Sequence, residues 1–380
     1  MSGKMCVHLP GCFDCEVIIM YNPAFLKMKK RLATAAKASK TPLIGHFELT
    51  PRCNLDCKMC YVHNQDSNSL RDKELTTEQW KHIFDEAIEM GMMFATFTGG
   101  ECLLREDFKE LYLYLYNKHV MVSVMTNGTL INDNYIEFFK NNRPESVQIS
   151  IYGSDESGYL QVTGHRGFEK ATRAAVELQN AGIHVRITVT PSRYIKEDYV
   201  ATVRACKEKG LTVILGDLTL MQNRDNPEKD DYFLTEDEIF ELSKGRMELY
   251  KELIPVECTP EPGGPEVEQP GTINCNAGNC LATVSWDGKM YACINLMVGG
   301  ADVREVGYAE AWRQVVEATS KVMECVECTG CAYKKACSHC PVFRLNGLYS
   351  GHCNPDVCKM TRRLVEAGVK KLGISDNIEE

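Results

Sequence analysis

The sequence lacks long apolar runs. No stretch approaches the length of a membrane-spanning helix, and the N-terminus has no apolar segment of export length. An excess of positive charge is also absent, since the formal net charge is −9. A chain of this kind has no general attraction for the nucleic-acid backbone, which needs clustered Lys and Arg. We therefore expect a cytoplasmic protein with neither a membrane nor a nucleic-acid partner.

One basic run stands out against this acidic background. Residues 27–40 carry six Lys and Arg and no acidic residue. Such a run is typical of the solvated face of a helix. The alternative with a specific function is a docking site for an acidic peptide segment.

Cysteine is abundant. Nineteen cysteines occur in 380 residues without an export signal, which favours metal or sulfur chemistry in a reducing compartment over a disulfide scaffold. At 44% apolar residues, the chain can bury one large core and a smaller second domain.

The most informative motif is Cys53-x3-Cys57-x2-Cys60, which follows an apparent strand at residues 44–50. Three thiolates leave one iron of a [4Fe-4S] cluster without a protein ligand, so that iron is free to bind an amine and a carboxylate. A zinc site completed by His63 is the main alternative, since closed zinc sites have four ligands. Three core cysteines are a weaker alternative, because Asp56 and Lys58 interrupt the motif.

The triplet and the later Gly99-Gly100-Glu101 resemble the signature of radical S-adenosylmethionine (radical SAM) enzymes, and the resemblance covers about residues 43–365. It implies that the open iron chelates the methionine end of the cofactor. The positions that the resemblance assigns to cofactor binding are Met59, Tyr61, Gly99, Gly100, Glu101, Asn127 and Ser150. The chain departs from the family in two places, since Met59 replaces an aromatic residue and Cys102 replaces a proline.

Short apolar strands alternate with amphipathic helices between residues 44 and 216, as in a parallel α/β sheet. Strands are predicted at residues 121–125, 146–152, 183–189 and 211–215. A helix with a Thr76-x-x-Gln79 capping box ends at Gly91. About six β/α units fit, which predicts an α/β fold with an open, partial (βα)6 TIM-like barrel. A last helix is predicted at residues 235–253.

The predicted domain organisation follows composition. We expect an N-terminal extension with a basic helix at 1–42, the radical SAM barrel at 43–254, a linker at 255–271, a cysteine-rich domain at 272–365 and a tail at 366–380. Five prolines and three glycines mark the linker. The cysteine-rich domain is small for its ten cysteines, and we expect metal to hold it together. A hairpin at Asp287-Gly288 and a helix at residues 308–323 are its predicted regular elements.

The cysteine-rich domain resembles the SPASM extension of peptide-modifying radical SAM enzymes, although the last spacing, from Cys337 to Cys340, is one residue short. The resemblance implies two auxiliary [4Fe-4S] clusters. The first set is Cys275, Cys280, Cys293 and Cys340. The second set is Cys328, Cys331, Cys337 and Cys358, with Cys353 as the alternative to Cys358. Zinc in one four-cysteine set is the other possibility that the spacing permits.

Eight cysteines have no predicted role, and most are expected to be buried small apolar residues. They are Cys6, Cys12, Cys15, Cys102, Cys206, Cys258, Cys325 and Cys353. The Cys12-x2-Cys15 pair is noted, although a lone pair does not close a metal site.

The resemblance implies reductive cleavage of S-adenosylmethionine to a 5′-deoxyadenosyl radical, which abstracts hydrogen from a ribosomally made peptide. The expected product is a thioether or carbon–carbon crosslink, or another oxidative change. Expected partners are the peptide and a reductant such as flavodoxin or ferredoxin. Too few residues are expected to precede the first strand for a fused leader-binding domain, so leader recognition is expected to need a separate protein or the basic helix. Formylglycine formation is disfavoured by Ile294, which stands where sulfatase-maturing enzymes have an aspartate. Dehydrogenation, epimerisation and a noncatalytic zinc scaffold are the remaining alternatives.

Overall fold

The protein is described by a computed structural model that covers residues 23–62, 67–214, 223–224, 226, 230–253, 275–323, 325–328, 330–337 and 340–369. The predicted linker, His63, Cys6, Cys12, Cys15 and Cys258 lie outside these residues. The chain divides into two compact units, one formed by residues 33–233 and 276–319 and the other by residues 1–32, 234–275 and 320–380.

The first unit contains one sheet in the order β6-β5-β4-β3-β2-β1-β7-β8-β9. Its strands are β1 (Ile44–Glu48), β2 (Phe94–Thr98), β3 (Met121–Thr126), β4 (Ser146–Ser150), β5 (Val185–Thr188), β6 (Val213–Ile214), β7 (Leu281–Val284), β8 (Lys289–Tyr291) and β9 (Gly299–Asp302). Strands β1 to β6 are parallel, which confirms the predicted six β/α units.

Strands β7 to β9 extend this sheet beyond β1. Ile44 pairs in parallel with Leu281, while β7, β8 and β9 form antiparallel pairs. The hairpin predicted at Asp287-Gly288 joins β7 to β8. The sheet is therefore mixed, and residues 276–319 lie in the same compact unit as the barrel strands. The predicted functional boundary at residue 272 stays a prediction.

Helices lie between the parallel strands, before them and after them. They are α1 (Pro23–Ser39), α2 (Thr77–Glu89), α3 (Phe108–Asn117), α4 (Asp133–Asn141), α5 (Glu156–Thr163), α6 (Phe168–Asn180) and α7 (Tyr199–Glu208), followed by α8 (Glu236–Leu253), α9 (Val303–Val306), α10 (Tyr308–Ser320), α11 (Pro341–Arg344) and α12 (Pro355–Glu366). The capping box predicted for α2 is present in both directions between Thr76 and Gln79. None of the helices in the described residues is long and apolar enough to cross a membrane.

The core lies between the sheet and its helices. Phe47 of β1 makes edge contacts with Trp80 and Phe84 of α2 and with Phe97 of β2. These four side chains are fully buried. Side chains alternate between the faces of a strand, so the neighbours His46, Glu48, Thr96 and Thr98 belong to the opposite face. The sheet thus has an apolar face that packs against the helices and an opposite face that carries polar side chains. These polar side chains lie on β1 and β2, close to the carboxyl ends of the strands.

Candidate functional site

The site is built where the carboxyl ends of β1, β2 and β3 meet, the edge at which α/β barrels carry their chemistry. The segment after β1 runs directly against the segment after β2. Gly100 donates its backbone N–H to the Thr50 carbonyl at 2.8 Å, and Glu101 donates to the Arg52 carbonyl at 2.7 Å. A Cβ on Gly99 would collide with the Thr50 carbonyl, and one on Gly100 with the Arg52 carbonyl. The two glycines are therefore required by the close approach of two backbones beside Cys53.

The loop that carries the cysteine triplet is also fixed from its other side. Asp56 donates its N–H to the Thr163 carbonyl at 2.8 Å, and Lys58 donates to the Val162 carbonyl at 3.0 Å. Both acceptors belong to the last turn of α5. Since the loop is held at both edges by backbone hydrogen bonds, the fold positions the three thiols without relying on their own side-chain contacts.

The three thiols interact electrostatically with one another inside this loop. Burial raises the pKa of Cys53 to about 12, and burial likewise raises the pKa of Cys57 well above its usual range. The Cys53 Sγ accepts hydrogen bonds from Leu55 N at 3.4 Å and from Asn127 Nδ2 at 3.8 Å. Because the protein alone disfavours thiolates here, a bound cation is what would hold them in that form.

The three cysteines of the loop are partly buried. Three cysteines are the number of protein ligands that leave one iron of a [4Fe-4S] cluster open. Among the residues that the structure describes, three potential ligand atoms lie within 4.8 Å of one another only at Cys325, Glu327 and Cys353. The role of Cys53, Cys57 and Cys60 as cluster ligands stays a prediction.

Glu101 is buried and its carboxylate is used within the protein. One oxygen accepts from Leu103 N at 3.0 Å and from the Thr126 hydroxyl at 2.8 Å, and the other accepts from Asn127 N at 2.7 Å. Burial raises the pKa of Glu101, while these three hydrogen bonds oppose the rise. Its side chain therefore joins the ends of β2 and β3, and the predicted contact of this motif with the cofactor stays a prediction.

Asn127 connects the end of β3 to the cysteine loop. Its Nδ2 donates to Asn54 Oδ1 at 2.9 Å as well as to Cys53, while its Oδ1 accepts from Thr129 N at 2.9 Å. Ser150, at the end of β4, hydrogen-bonds the phenol of Tyr152, which interacts electrostatically with Cys57. Both predicted positions therefore lie at strand ends around the loop. Met59 is buried within the loop, with 5% of its surface exposed.

Sequence reasoning did not single out an ion pair that borders the third cysteine. Glu48, at the end of β1, is fully buried and accepts two hydrogen bonds of 2.8 Å from the Arg224 guanidinium. Arg224 N also donates to the Tyr61 carbonyl at 3.0 Å, and Arg224 Nη2 donates to the Ile294 carbonyl at 3.0 Å. This pair therefore ties the residue after Cys60 to the residue after Cys293. The one available signal was Glu48 itself, an acidic residue at the end of a strand that is otherwise uncharged apart from His46.

Asn223 and Tyr61 complete this contact. The Asn223 amide donates to the Cys60 carbonyl at 2.8 Å. The Arg224 guanidinium lies over the Tyr61 ring, 5.2 Å from its centroid. Burial raises the pKa of Tyr61, and the nearby Glu48 carboxylate adds to the rise, so this phenol stays neutral.

A second charged network, also missed, anchors the start of the loop. Glu74 accepts from Arg52 Nε at 2.6 Å and from Arg105 Nη1 at 3.4 Å. Arg105 also donates to the Leu49 carbonyl at 3.1 Å. These contacts fix the strand-to-loop junction between Glu48 and Cys53.

The cysteines of the predicted auxiliary sets fall in both compact units. Cys280 and Cys293 belong to the unit with the barrel strands, and Cys293 Sγ accepts from Asn295 N at 3.4 Å. Cys275 and Cys340 belong to the other unit, so the first set stays a prediction. All members of the second set lie in that other unit. Cys353 and Cys358 line the same cavity, of about 560 Å³, and the choice between them also stays a prediction.

Comparisons with known proteins match the part of the chain that contains the cysteine loop. The radical SAM superfamily model matches residues 47–193. The chain is 27% identical over 327 residues to the AdoMet-dependent heme synthase of Methanosarcina barkeri, covering 80% of this chain and 92% of that protein. It is also 27% identical over 327 residues to the mycofactocin maturase MftC of Mycolicibacterium smegmatis, covering 78% of this chain and 77% of the relative.

A similar fold occurs in a solved structure. The crystal structure of Streptococcus suis SuiB bound to its precursor peptide SuiA has a TM-score of 0.62 to this chain, with 16% identity and coverage of 90% of this chain and 82% of SuiB. At this identity the likeness shows a common fold.

Proposed function

We propose that this chain, which carries a radical SAM domain, is an enzyme that removes hydrogen from a ribosomally made peptide to form a thioether or carbon–carbon crosslink or another oxidised product. The observation that carries this proposal is the cysteine loop. Three partly buried cysteines follow the carboxyl end of β1, on a loop that backbone hydrogen bonds hold on both sides.

The cofactors of the domain are S-adenosylmethionine and a [4Fe-4S] cluster, with Cys53, Cys57 and Cys60 as the proposed cluster ligands. When bound, they supply a carbon radical strong enough to remove hydrogen from an unactivated carbon, which no side-chain base can do. The protein provides position and exclusion of water. Met59 and the Tyr61–Arg224 contact shield the cluster loop, while Gly99 and Gly100 allow the end of β2 to reach it.

A peptide substrate is supported by the relatives. MftC is named as a maturase, and SuiB was crystallised with a precursor peptide. We further propose a ferredoxin or flavodoxin as the electron donor and a separate protein that recognises the leader of the peptide. The eight predicted ligands would hold two auxiliary clusters, which would supply an electron acceptor for the product radical or a site for a substrate thiolate.

The test uses the full chain, isolated and reconstituted without oxygen, with S-adenosylmethionine, a reductant and the short peptides encoded beside its gene. We expect 5′-deoxyadenosine to form and one peptide to lose two hydrogens, as measured by mass spectrometry. Cys57→Ala should abolish both products. Cys206→Ala is the matched control, because Cys206 is a fully buried thiol on α7, away from the cysteine loop.

A heme precursor is the second candidate, because the heme synthase of M. barkeri is matched over 92% of its length. Loss of carboxyl groups from an iron porphyrin, with every peptide unchanged, would replace the peptide proposal with this one. Formylglycine in a sulfatase-derived peptide would instead revive the sulfatase alternative. In the structure, the Ile294 carbonyl is occupied by Arg224.

A further inference from the structure

Two cysteines of the second compact unit lie side by side in the structure: Cys325, which the family pattern leaves without a role, and Cys353, which it offers only as the alternative to Cys358. The sulfurs of Cys325 and Cys353 and a carboxylate oxygen of Glu327 lie within 4.8 Å of one another. Cys325 Sγ is 3.1 Å from Glu327 Oε2. The sequence gives no warning of this group, because 27 residues separate the two cysteines.

The backbone holds the two segments together. Val326 donates its N–H to the Gly351 carbonyl at 2.8 Å, and Cys353 donates its N–H to Glu327 Oε2 at 3.2 Å. Cys353 also forms an isolated β-bridge with Leu345. The three potential ligands are therefore brought together by main-chain contacts in addition to their side chains.

His352 orients the carboxylate. Its Nδ1 lies 2.7 Å from Glu327 Oε1, the oxygen that is not shared with Cys325 and Cys353. Metal sites commonly contain such a pair, in which an imidazole and a carboxylate outside or at the edge of the ligand set fix the orientation of the donor. Glu327 is thus held with one oxygen directed toward the two sulfurs.

The spacing of the three donor atoms suits a single metal ion. All three donor atoms fall within 4.8 Å, close to the roughly 3.8 Å between sulfurs on one tetrahedral zinc ion. The cysteine loop of the barrel does not meet this criterion. Two thiolates with a carboxylate are a donor set that suits zinc, and sites with three protein ligands keep a fourth position for solvent.

The surroundings leave that fourth position accessible. Cys325 is only 1% exposed and closes one side. Glu327 and Cys353 line the cavity of about 560 Å³, whose other charged residues are the bases Lys359, Arg362 and Arg363 and the acids Glu236 and Glu366. A solvent molecule from this cavity would complete four-coordination.

We propose that Cys325, Glu327 and Cys353 bind one zinc ion, separate from the iron–sulfur clusters, and that this ion joins the segment Val326–Cys328 to residues 351–353. The inference goes beyond the proposed catalytic function and does not depend on the substrate.

The test measures zinc and iron together, by mass spectrometry of the elements, in full-length protein isolated without oxygen. We expect one zinc per chain beside the iron. Glu327→Gln, which keeps the side-chain shape, and Cys353→Ala should lose the zinc and keep the iron. His352→Ala should lower zinc affinity about 10- to 100-fold, as measured by competition with a chelator. Cys206→Ala is the control and should change neither metal.

Cobalt gives a second readout that does not depend on how much zinc survives purification. Co²⁺ added to zinc-depleted protein should produce thiolate charge-transfer absorption that Cys325→Ala and Cys353→Ala abolish. Loss of iron from Glu327→Gln or Cys353→Ala would overturn the proposal, because the residues would then serve a cluster. A wild-type protein that takes up no zinc and shows no thiolate-to-cobalt absorption would also overturn it. In either case, 5′-deoxyadenosine formation would still report on the radical SAM proposal.

Discussion

The cysteine loop of the barrel and the cysteine-rich segment of the second unit present thiols in opposite ways. The barrel loop rests on two strand ends and the end of α5, through backbone hydrogen bonds that need no metal. In the described part of the segment 325–358, short helices, turns and one isolated bridge precede α12, and backbone hydrogen bonds combine with contacts between side chains that carry sulfur or charge. The first is a scaffold to which a cluster adds chemistry. We expect the second to depend for its shape on the metals proposed for it.

Metal removal should separate the two regions most strongly. Structural metals contribute about 10–16 kcal/mol to the folding of zinc-finger peptides, and a similar dependence is expected for the segment 325–358. After anaerobic chelation, amide hydrogen exchange should increase throughout α11 and α12, while β1 to β4 keep their protection. Equal loss of protection in both regions would contradict the comparison.

Breaking the buried Glu48–Arg224 ion pair should have the next largest effect on stability. This effect is expected in the barrel alone. Glu48 is fully buried, so Arg224→Met leaves an unpaired carboxylate, which costs about 3–5 kcal/mol. The double variant Glu48→Gln with Arg224→Met should recover part of this loss. Urea unfolding measures the stability, and electron paramagnetic resonance of the reduced cluster reports whether the Cys60 loop has shifted.

Glu110→Gln is the control for that experiment. Glu110 pairs with Lys81 at 2.6 Å, but its side chain is 57% exposed. Exposed pairs contribute about 0–1 kcal/mol, so this variant should unfold almost as the wild type does and keep its cluster spectrum. If the two ion pairs contribute equally to the free energy of unfolding, the Glu48–Arg224 pair does not act as a buried ion pair that fixes the Cys60 loop.

The ion pair also shows where prediction from sequence ends. The β/α alternation, the α2 capping box and the cysteine triplet are local patterns, and the structure confirms the six parallel strands and the capping box. Glu48 and Arg224 are 176 positions apart, and nothing in the local pattern of either residue names the other. Pairing of β1 with β7 and the approach of Cys325 to Cys353 are distant in the same way. Local periodicity predicts elements, whereas such contacts require the fold.

The glycine contact should give a smaller loss that is still specific to the cysteine loop. Gly99 has φ of +131°, and an added Cβ would meet the Thr50 carbonyl. We expect Gly99→Ala to destabilise the barrel by about 2–3 kcal/mol and to reduce the iron bound by the barrel cysteines. Gly210→Ala is matched in the sign of φ, at +75°, but its Cβ meets only a side-chain atom at 3.9 Å. It should cost about 1–2 kcal/mol and leave iron unchanged. Equal iron in both variants would contradict the role of the close approach.

The smallest expected effect comes from removing one helix N-cap in each of the two regions. Thr76 caps α2 in the barrel, and Asn354 caps α12 by accepting from Asp356 N at 3.0 Å. Removal of either cap costs about 1 kcal/mol. Because Cys358 lies in the first turn of α12, Asn354→Ala should weaken metal binding in that unit, whereas Thr76→Ala should lower only the urea midpoint. Iron and zinc counts together with urea unfolding measure both. The scaffold of the barrel tolerates a lost cap because its apolar core remains. The second unit has fewer apolar contacts near α12 to compensate for a lost cap. A small loss of local stability there is therefore expected to appear as a lower content of bound metal.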